Sequence, residues 1–109
     1  MSLVNLSKRT TGVGFEYTET IADGANGNTV LIPGISGRDN ITCSLIAGAN
    51  TGKFQFTTSP DANISAGTET WQDWPLGAKT GTISDLLLGP VMTIRGVSIS
   101  GEVKIEVVL

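Results

Sequence analysis

The strictest pattern in the chain lies near its carboxyl end, where apolar residues occupy every second position of residues 103–109. Lys104 and Glu106 lie between them, so the apolar and charged side chains fall on opposite faces. A period of two is typical of a β-strand with one buried face and one solvated face. The preceding residues 91–99 are rich in β-branched side chains, and Ser100-Gly101 separates the two runs. The pattern therefore predicts an antiparallel hairpin.

A second hairpin is predicted over residues 41–58. A strand-like run is followed there by a glycine-containing loop and by alternating residues that include Phe54 and Phe56. Residues 51–58 match residues 100–107 in polarity at all but the last position. Two similar hairpins in one small domain indicate two facing sheets. The predicted core residues are Phe54, Phe56, Val103, Ile105 and Val107.

Length and composition favour the same architecture. The chain has 109 residues, which suits one domain. Only 16% of the residues are charged, and the 14 glycines favour tight turns. We predict an all-β fold, an antiparallel β-sandwich of jelly-roll or immunoglobulin-like type with about seven or eight strands. The sandwich is expected to span residues 12–109, after an N-terminal arm at residues 1–11.

The predicted arm shows neither a helical period nor a strand alternation. Its apolar residues Leu3, Val4 and Leu6 lack an evident local partner, and Lys8 and Arg9 follow them. Such a segment is either frayed or laid on another subunit. Docking through the two basic residues would weaken with salt, whereas docking through the leucines would depend little on salt.

The residues of the common catalytic and metal sites are largely missing. The chain has no histidine, so it has no Ser-His-Asp or Cys-His arrangement and lacks the usual zinc ligands. Its single cysteine, Cys43, falls in a strand-like run and is predicted to be a small buried hydrophobe. Glu69 and Asp73 flank a tryptophan-bearing segment and are the best remaining carboxylate pair. We nevertheless expect no enzyme, and no catalytic or cofactor-binding residue.

Metal, nucleic acid and membrane are also expected to be absent as partners. Asp23, Asn26 and Asn28 offer oxygen ligands, but their spacing does not fit a calcium loop, and we predict that they serve as turn residues. The net charge is −3 without a basic cluster, which argues against nucleic-acid binding. No apolar run approaches the length of about 20 residues that a membrane span needs.

Four segments carry a likeness to other proteins: GKFQFTTSP (52–60), AGTETWQDWP (66–75), GPVMTIR (89–95) and SGEVKIEVVL (100–109). Together they resemble a pattern in small virion proteins of tailed bacteriophages. The resemblance implies a non-enzymatic β-sandwich, made in the host cytoplasm, that assembles on the virion in many copies and often as a trimer. It would be a capsid decoration or cement protein, or a head or tail fibre component. Its partners would be itself and a major capsid or tail protein.

A carbohydrate-binding or host-recognition module is the alternative. Trp71 and Trp74 are three positions apart, so a regular strand would place them on opposite faces and leave one of them able to stack on a sugar. Arg95 interrupts an apolar strand, and residues 108 and 109 put apolar side chains on both strand faces. The predicted interface residues are Leu3, Val4, Leu6, Lys8, Arg9, Trp71, Trp74, Arg95, Val108 and Leu109.

Overall fold

A computed structural model of the chain describes residues 3–10, 14–32, 40–57, 59, 61–88 and 93–108. These residues form ten β-strands and one short α-helix, α1 (Asp61–Ala66). The strands are β1 (Leu3–Asn5), β2 (Ser7–Lys8), β3 (Phe15–Ile21), β4 (Thr29–Leu31), β5 (Asn40–Ile46), β6 (Thr51–Thr57), β7 (Gln72–Asp73), β8 (Thr82–Leu88), β9 (Thr93–Ser100) and β10 (Val103–Val108). No helix in this part of the chain is long and apolar enough to cross a membrane.

The strands make two five-stranded sheets. Sheet A has the order β1-β4-β9-β6-β7, and sheet B has the order β2-β3-β10-β5-β8. The expected all-β sandwich architecture is therefore present, but the expected number of strands is wrong. Strands β1, β2 and β7 have only two or three residues, too few to show an alternation in the sequence. The arrangement is also not wholly antiparallel, because β1 pairs with β4 in parallel.

Both predicted hairpins are wrong in their pairing. Strands β5 and β6 lie in different sheets, and so do β9 and β10. Each short connection carries the chain from one sheet to the other, and the two strand pairs stand side by side: β6 pairs with β9, and β10 pairs with β5. The alternation could not reveal this, because a strand in either facing sheet has one buried and one solvated face.

The core lies between the two sheets. Of the five predicted core residues, Phe54, Val103, Ile105 and Val107 are at most 1% exposed, whereas Phe56 is only partly buried against the cluster. Phe54 stands opposite Gly96 across the β6–β9 ladder. A Cβ at Gly96 would lie 2.6 Å from Ile21 Cδ1, so the close approach of the two sheets requires glycine there. Core residues outside the predicted set include Leu6, Ile21, Val30, Ile41, Cys43, Leu45, Trp74 and Ile94.

The described part of the expected arm belongs to the sandwich. Strand β1 pairs with β4 of sheet A, and strand β2 pairs with β3 of sheet B. Leu6 lies between the two strands, where the chain passes from one sheet to the other, and its side chain is buried. Leu3 and Val4 therefore have strand partners in their own chain, although not local ones, whereas Leu6 lies outside the strands and packs in the core. The partners of Leu3 and Val4 lie more than twenty residues away, so local periodicity could not show them.

Candidate functional site

The outer face of sheet A carries a row of polar side chains across three strands. Register places Gln55 of β6 beside Asp73 of β7 on one side and Arg95 of β9 on the other. Gln55 Nε2 donates to Asp73 Oδ1 at 2.9 Å, and Arg95 Nε donates to Gln55 Oε1 at 2.9 Å. Lys53 Nζ lies 2.9 Å from the same Asp73 oxygen. The row fixes the guanidinium of Arg95 in a direction set by the sheet.

Arg95 lies against an aromatic ring. Its Cζ is 4.3 Å from the centroid of the Trp71 ring, within the range of a cation–π contact. The Trp71 indole N–H donates to Glu69 Oε1 at 3.1 Å. Trp71 and Glu69 come from the segment that connects α1 to β7. The Glu69 carboxylate, the Trp71 indole and the Arg95 guanidinium therefore lie next to one another above the sheet.

The loop between β3 and β4 forms the opposite side of this site. It runs along β9, with Gly27 N donating to Gly96 O at 2.7 Å and Ser98 N donating to Ala25 O at 2.9 Å. A Cβ at Gly27 would lie 2.9 Å from Glu19 Oε1 and 3.1 Å from Gly96 O, so the loop packs closely against β9 here. The backbone contacts hold the loop at a fixed distance from Arg95's strand.

A hydrogen-bond network inside the sandwich anchors the end of the same loop. Glu19 accepts from Asn28 N at 3.1 Å and from the Tyr17 hydroxyl at 3.0 Å. The Asn28 side-chain amide donates in turn to the Tyr17 oxygen at 3.1 Å. Burial raises the pKa of Tyr17 above its ordinary value, and the neighbouring Glu19 adds to this shift. The hydroxyl therefore stays protonated and continues to donate at neutral pH.

Between the loop and the α1–β7 segment lies a cleft of about 510 Å³, a size typical of ligand pockets. It is lined by Asn26, Gly27, Asn28, Gly67, Glu69, Trp71 and Arg95. We call it the Trp71 cleft. Burial lowers the pKa of Arg95, whereas the negative charge of Glu69 opposes that shift. Arg95 and Glu69, which carry opposite charges, thus line the same water-accessible cleft beside the ring of Trp71.

The structure divides the predicted interface residues. Leu6 and Trp74 are buried in the core of their own chain, so their side chains are not available to a partner in this fold. Trp74 packs against Phe54 with 5.0 Å between ring centroids. Leu3 is 46% exposed, and Lys8 is exposed as well. Half-buried positions are those of Val4, Arg9, Trp71, Arg95 and Val108, and Leu109 lies outside the described residues. Trp71 and Arg95 are the predicted residues that the fold brings together.

The three residues considered for calcium have separate contacts. Asp23 Oδ1 accepts from Gly101 N at 2.7 Å, which ties the loop to the β9–β10 turn. Asn28 bonds to Tyr17 and Glu19 inside the sandwich, whereas Asn26 lines the Trp71 cleft. Among the described residues, no group of three or more His, Cys, Asp or Glu side chains is placed to hold a metal ion.

Sequence reasoning missed Gln55 and the loop residues of the cleft. Gln55 occupies an ordinary outward position of an alternating strand, and only the β6–β9 register shows that it meets Arg95. Glu69 had been considered as half of a catalytic pair with Asp73, but the two carboxylates have different partners, Trp71 and Gln55. No protein-family model matches the sequence, and no curated protein matches it.

Proposed function

We propose that the chain is a non-enzymatic structural subunit of a phage virion, a capsid decoration or cement protein that assembles as a homotrimer. The sequence resemblance to small virion proteins supports the assignment to a particle. The structural observation that supports self-assembly is the length of β8, the seven-residue strand at one end of sheet B. A head or tail fibre component with the same sandwich is the variant of this proposal that differs only in where the subunit attaches.

Strand β8 is exceptional among the outermost strands of the two sheets. The other three, β1, β2 and β7, are two or three residues long, and short edge strands are a common protection against unwanted pairing. Strand β8 has seven residues and, among the described residues, pairs along one side only, with β5. A long outermost strand can serve as a template for pairing with another chain. A neighbouring subunit would cover this edge.

A ring of three subunits needs two different surfaces on each subunit, because cyclic trimers are built from head-to-tail contacts. Sheet B offers a second free edge at its other end. Strand β2 pairs only with Phe15 and Glu16 of β3, so in the described part of the chain residues 17–21 have no strand on that side. Pairing of β8 with the β2–β3 end of the next subunit would continue sheet B around a closed ring. Pairing of β8 with its own copy would instead give a dimer.

We propose that the amino-terminal strands attach the subunit to the capsid or tail protein. Leu3 is 46% exposed, and Lys8 is exposed at the sheet edge formed by β2. Arg9 Nε is buried without a hydrogen-bond partner among the described residues. A cationic contact on an acidic capsid or tail protein would lose affinity as salt rises, because screening shortens the reach of exposed charges.

The experiment is electron cryomicroscopy of purified particles of the phage that encodes the chain, combined with quantitative mass spectrometry of their proteins. The proposal expects the chain in many copies per particle, in surface density with local threefold symmetry. Finding the chain in infected cells but not in purified particles would contradict the proposal. Particles to which a Lys8→Glu variant binds as tightly as the unaltered chain would contradict the cationic contact alone.

A further inference from the structure

Glu69 lines the Trp71 cleft, and one oxygen of its carboxylate, Oε2, is buried and has no hydrogen-bond partner among the described residues. Its companion Oε1 accepts from the Trp71 indole, so the carboxylate is held in place. A buried polar atom without a partner costs about 1–3 kcal/mol, so folded proteins rarely keep one without a reason. An O–H or N–H donor that enters the cleft would satisfy this oxygen.

The charges around the cleft restrict the class of ligand. Arg95 opposes a bare cation at Glu69, and Glu69 opposes a phosphate or sulfate at Arg95. The hydrogen bond to Gln55 uses Arg95 Nε and leaves the terminal guanidinium nitrogens as donors. A purely apolar ligand would leave Glu69 Oε2 without a donor. A neutral ligand with several hydroxyl groups satisfies both ends, because each hydroxyl donates to a carboxylate or accepts from a guanidinium.

The remaining lining fits the same ligand. Trp71 supplies apolar ring surface beside the charged pair, and the exposed side chain of Asn26 supplies an amide that both donates and accepts. Amphipathic aromatic surface next to a few fixed polar groups is the usual composition of a small-molecule site. We propose that the Trp71 cleft is a binding site for a neutral saccharide, held by Glu69, Trp71, Arg95 and Asn26. Trp74 has no part in it, because its side chain is in the core.

This inference does not rest on the virion proposal. The cleft lies on the outer face of sheet A, whereas the edge proposed for self-assembly belongs to sheet B. A saccharide site could therefore remain exposed on an assembled trimer. Failure of either proposal leaves the other one standing.

The test begins with the full chain on a printed array of neutral, sialylated and sulfated oligosaccharides. The strongest neutral sugar is then titrated in solution by calorimetry at concentrations up to about 10 mM, a range that captures weak millimolar binding. Three variants are compared with the unaltered chain: Trp71→Ala, Glu69→Gln and Lys104→Gln. Glu69→Gln keeps an acceptor for the indole and the shape of the side chain but removes the carboxylate. Lys104 is exposed on the outer face of sheet B and does not line the cleft, so its variant is the matched control.

We expect the unaltered chain and the Lys104 variant to bind a neutral sugar equally, and the other two variants to lose about tenfold or more in affinity. Melting curves that match the unaltered chain show that each variant is folded. Should Trp71→Ala fail to fold, Glu69→Gln and Arg95→Gln carry the comparison. Three results overturn the inference: no neutral sugar binds in this range, only acidic sugars bind, or the cleft variants bind as well as the control.

Discussion

Truncation of Phe54 to Ala tests how the two sheets are held together. The Phe54 side chain is fully buried, its ring lies 5.0 Å from that of Trp74 at an angle of 54°, and it stands opposite Gly96, which has no side chain to fill the space. Removal of the Phe54 ring leaves a cavity, and Gly96 has no side chain that could move into it. We expect the free energy of unfolding to fall by about 3–5 kcal/mol, which includes the loss of the aromatic pair.

The matched control is Phe56→Ala, two positions along the same strand and on the same face. Phe56 is only partly buried, so its truncation should cost at least about 1 kcal/mol less than that of Phe54. Both values come from urea unfolding followed by tryptophan fluorescence, at one fixed protein concentration because self-association would shift the apparent stability. A loss below about 1 kcal/mol for Phe54→Ala, or equal losses for the two variants, would refute the described packing.

Three further predictions follow from the same contacts. Gly96→Ala should destabilise the fold by about 1–3 kcal/mol, because its Cβ would lie 2.6 Å from Ile21 Cδ1. Adding Ile21→Val, which removes that atom, should recover part of the loss in the same unfolding assay. A double variant whose loss equals the sum of the two single losses would contradict the clash. Burial, aided by the carboxylate of Asp85, raises the pKa of Cys43 from 9.0 to about 12. The folded state therefore holds the thiol proton more tightly than the unfolded state, and the protonated thiol contributes its full stabilisation below pH 9 and loses it as the pH rises towards 12. A Cys43→Ala variant should therefore lose less stability between about pH 8 and 11 than the unaltered chain. Identical pH profiles for the two proteins would contradict the shift. Lys53→Gln should change the stability of the fold by less than about 1 kcal/mol, since the ion pair of Lys53 with Asp73 lies on the surface. A larger loss in thermal unfolding would show that the polar row on sheet A contributes more to stability than its exposure suggests.

The sequence allowed the inward faces of the long strands to be predicted well. Alternation in β6 and β10 correctly assigned Phe54, Val103, Ile105 and Val107 to the interior. Neither tryptophan lies in a strand; Trp74 is in the core, and Trp71 is half-buried against Arg95. The assignment of strands to sheets could not be predicted in the same way. A chain that turns back within a sheet and a chain that crosses to the facing sheet bury the same alternate residues, so the β9–β10 connection was predicted as a hairpin.

Short and non-local elements were the other source of error. The parallel pairing of β1 with β4 depends on residues more than twenty positions apart, and α1 has six residues, too few for a helical period to appear. The Trp71 cleft is non-local for the same reason. Arg95 and Trp71 could be singled out as unusual side chains in strand-like segments, but their contact depends on the β6–β9 register and on the path of the α1–β7 segment. Asn26 joins them only because its loop runs along β9.

The molar mass in solution tests the proposed homotrimer most directly. The chain has a mass of 11.3 kDa, so light scattering coupled to gel filtration should give about 34 kDa at tens of micromolar protein. A Thr82→Lys/Ser84→Lys double variant, which places charges on the outermost strand β8, should elute as a monomer, whereas Ala62→Lys on the exposed side of α1 should leave the trimer intact. A monomer of 11.3 kDa for the unaltered chain, or a dimer of about 23 kDa from β8 pairing with its own copy, would contradict the account.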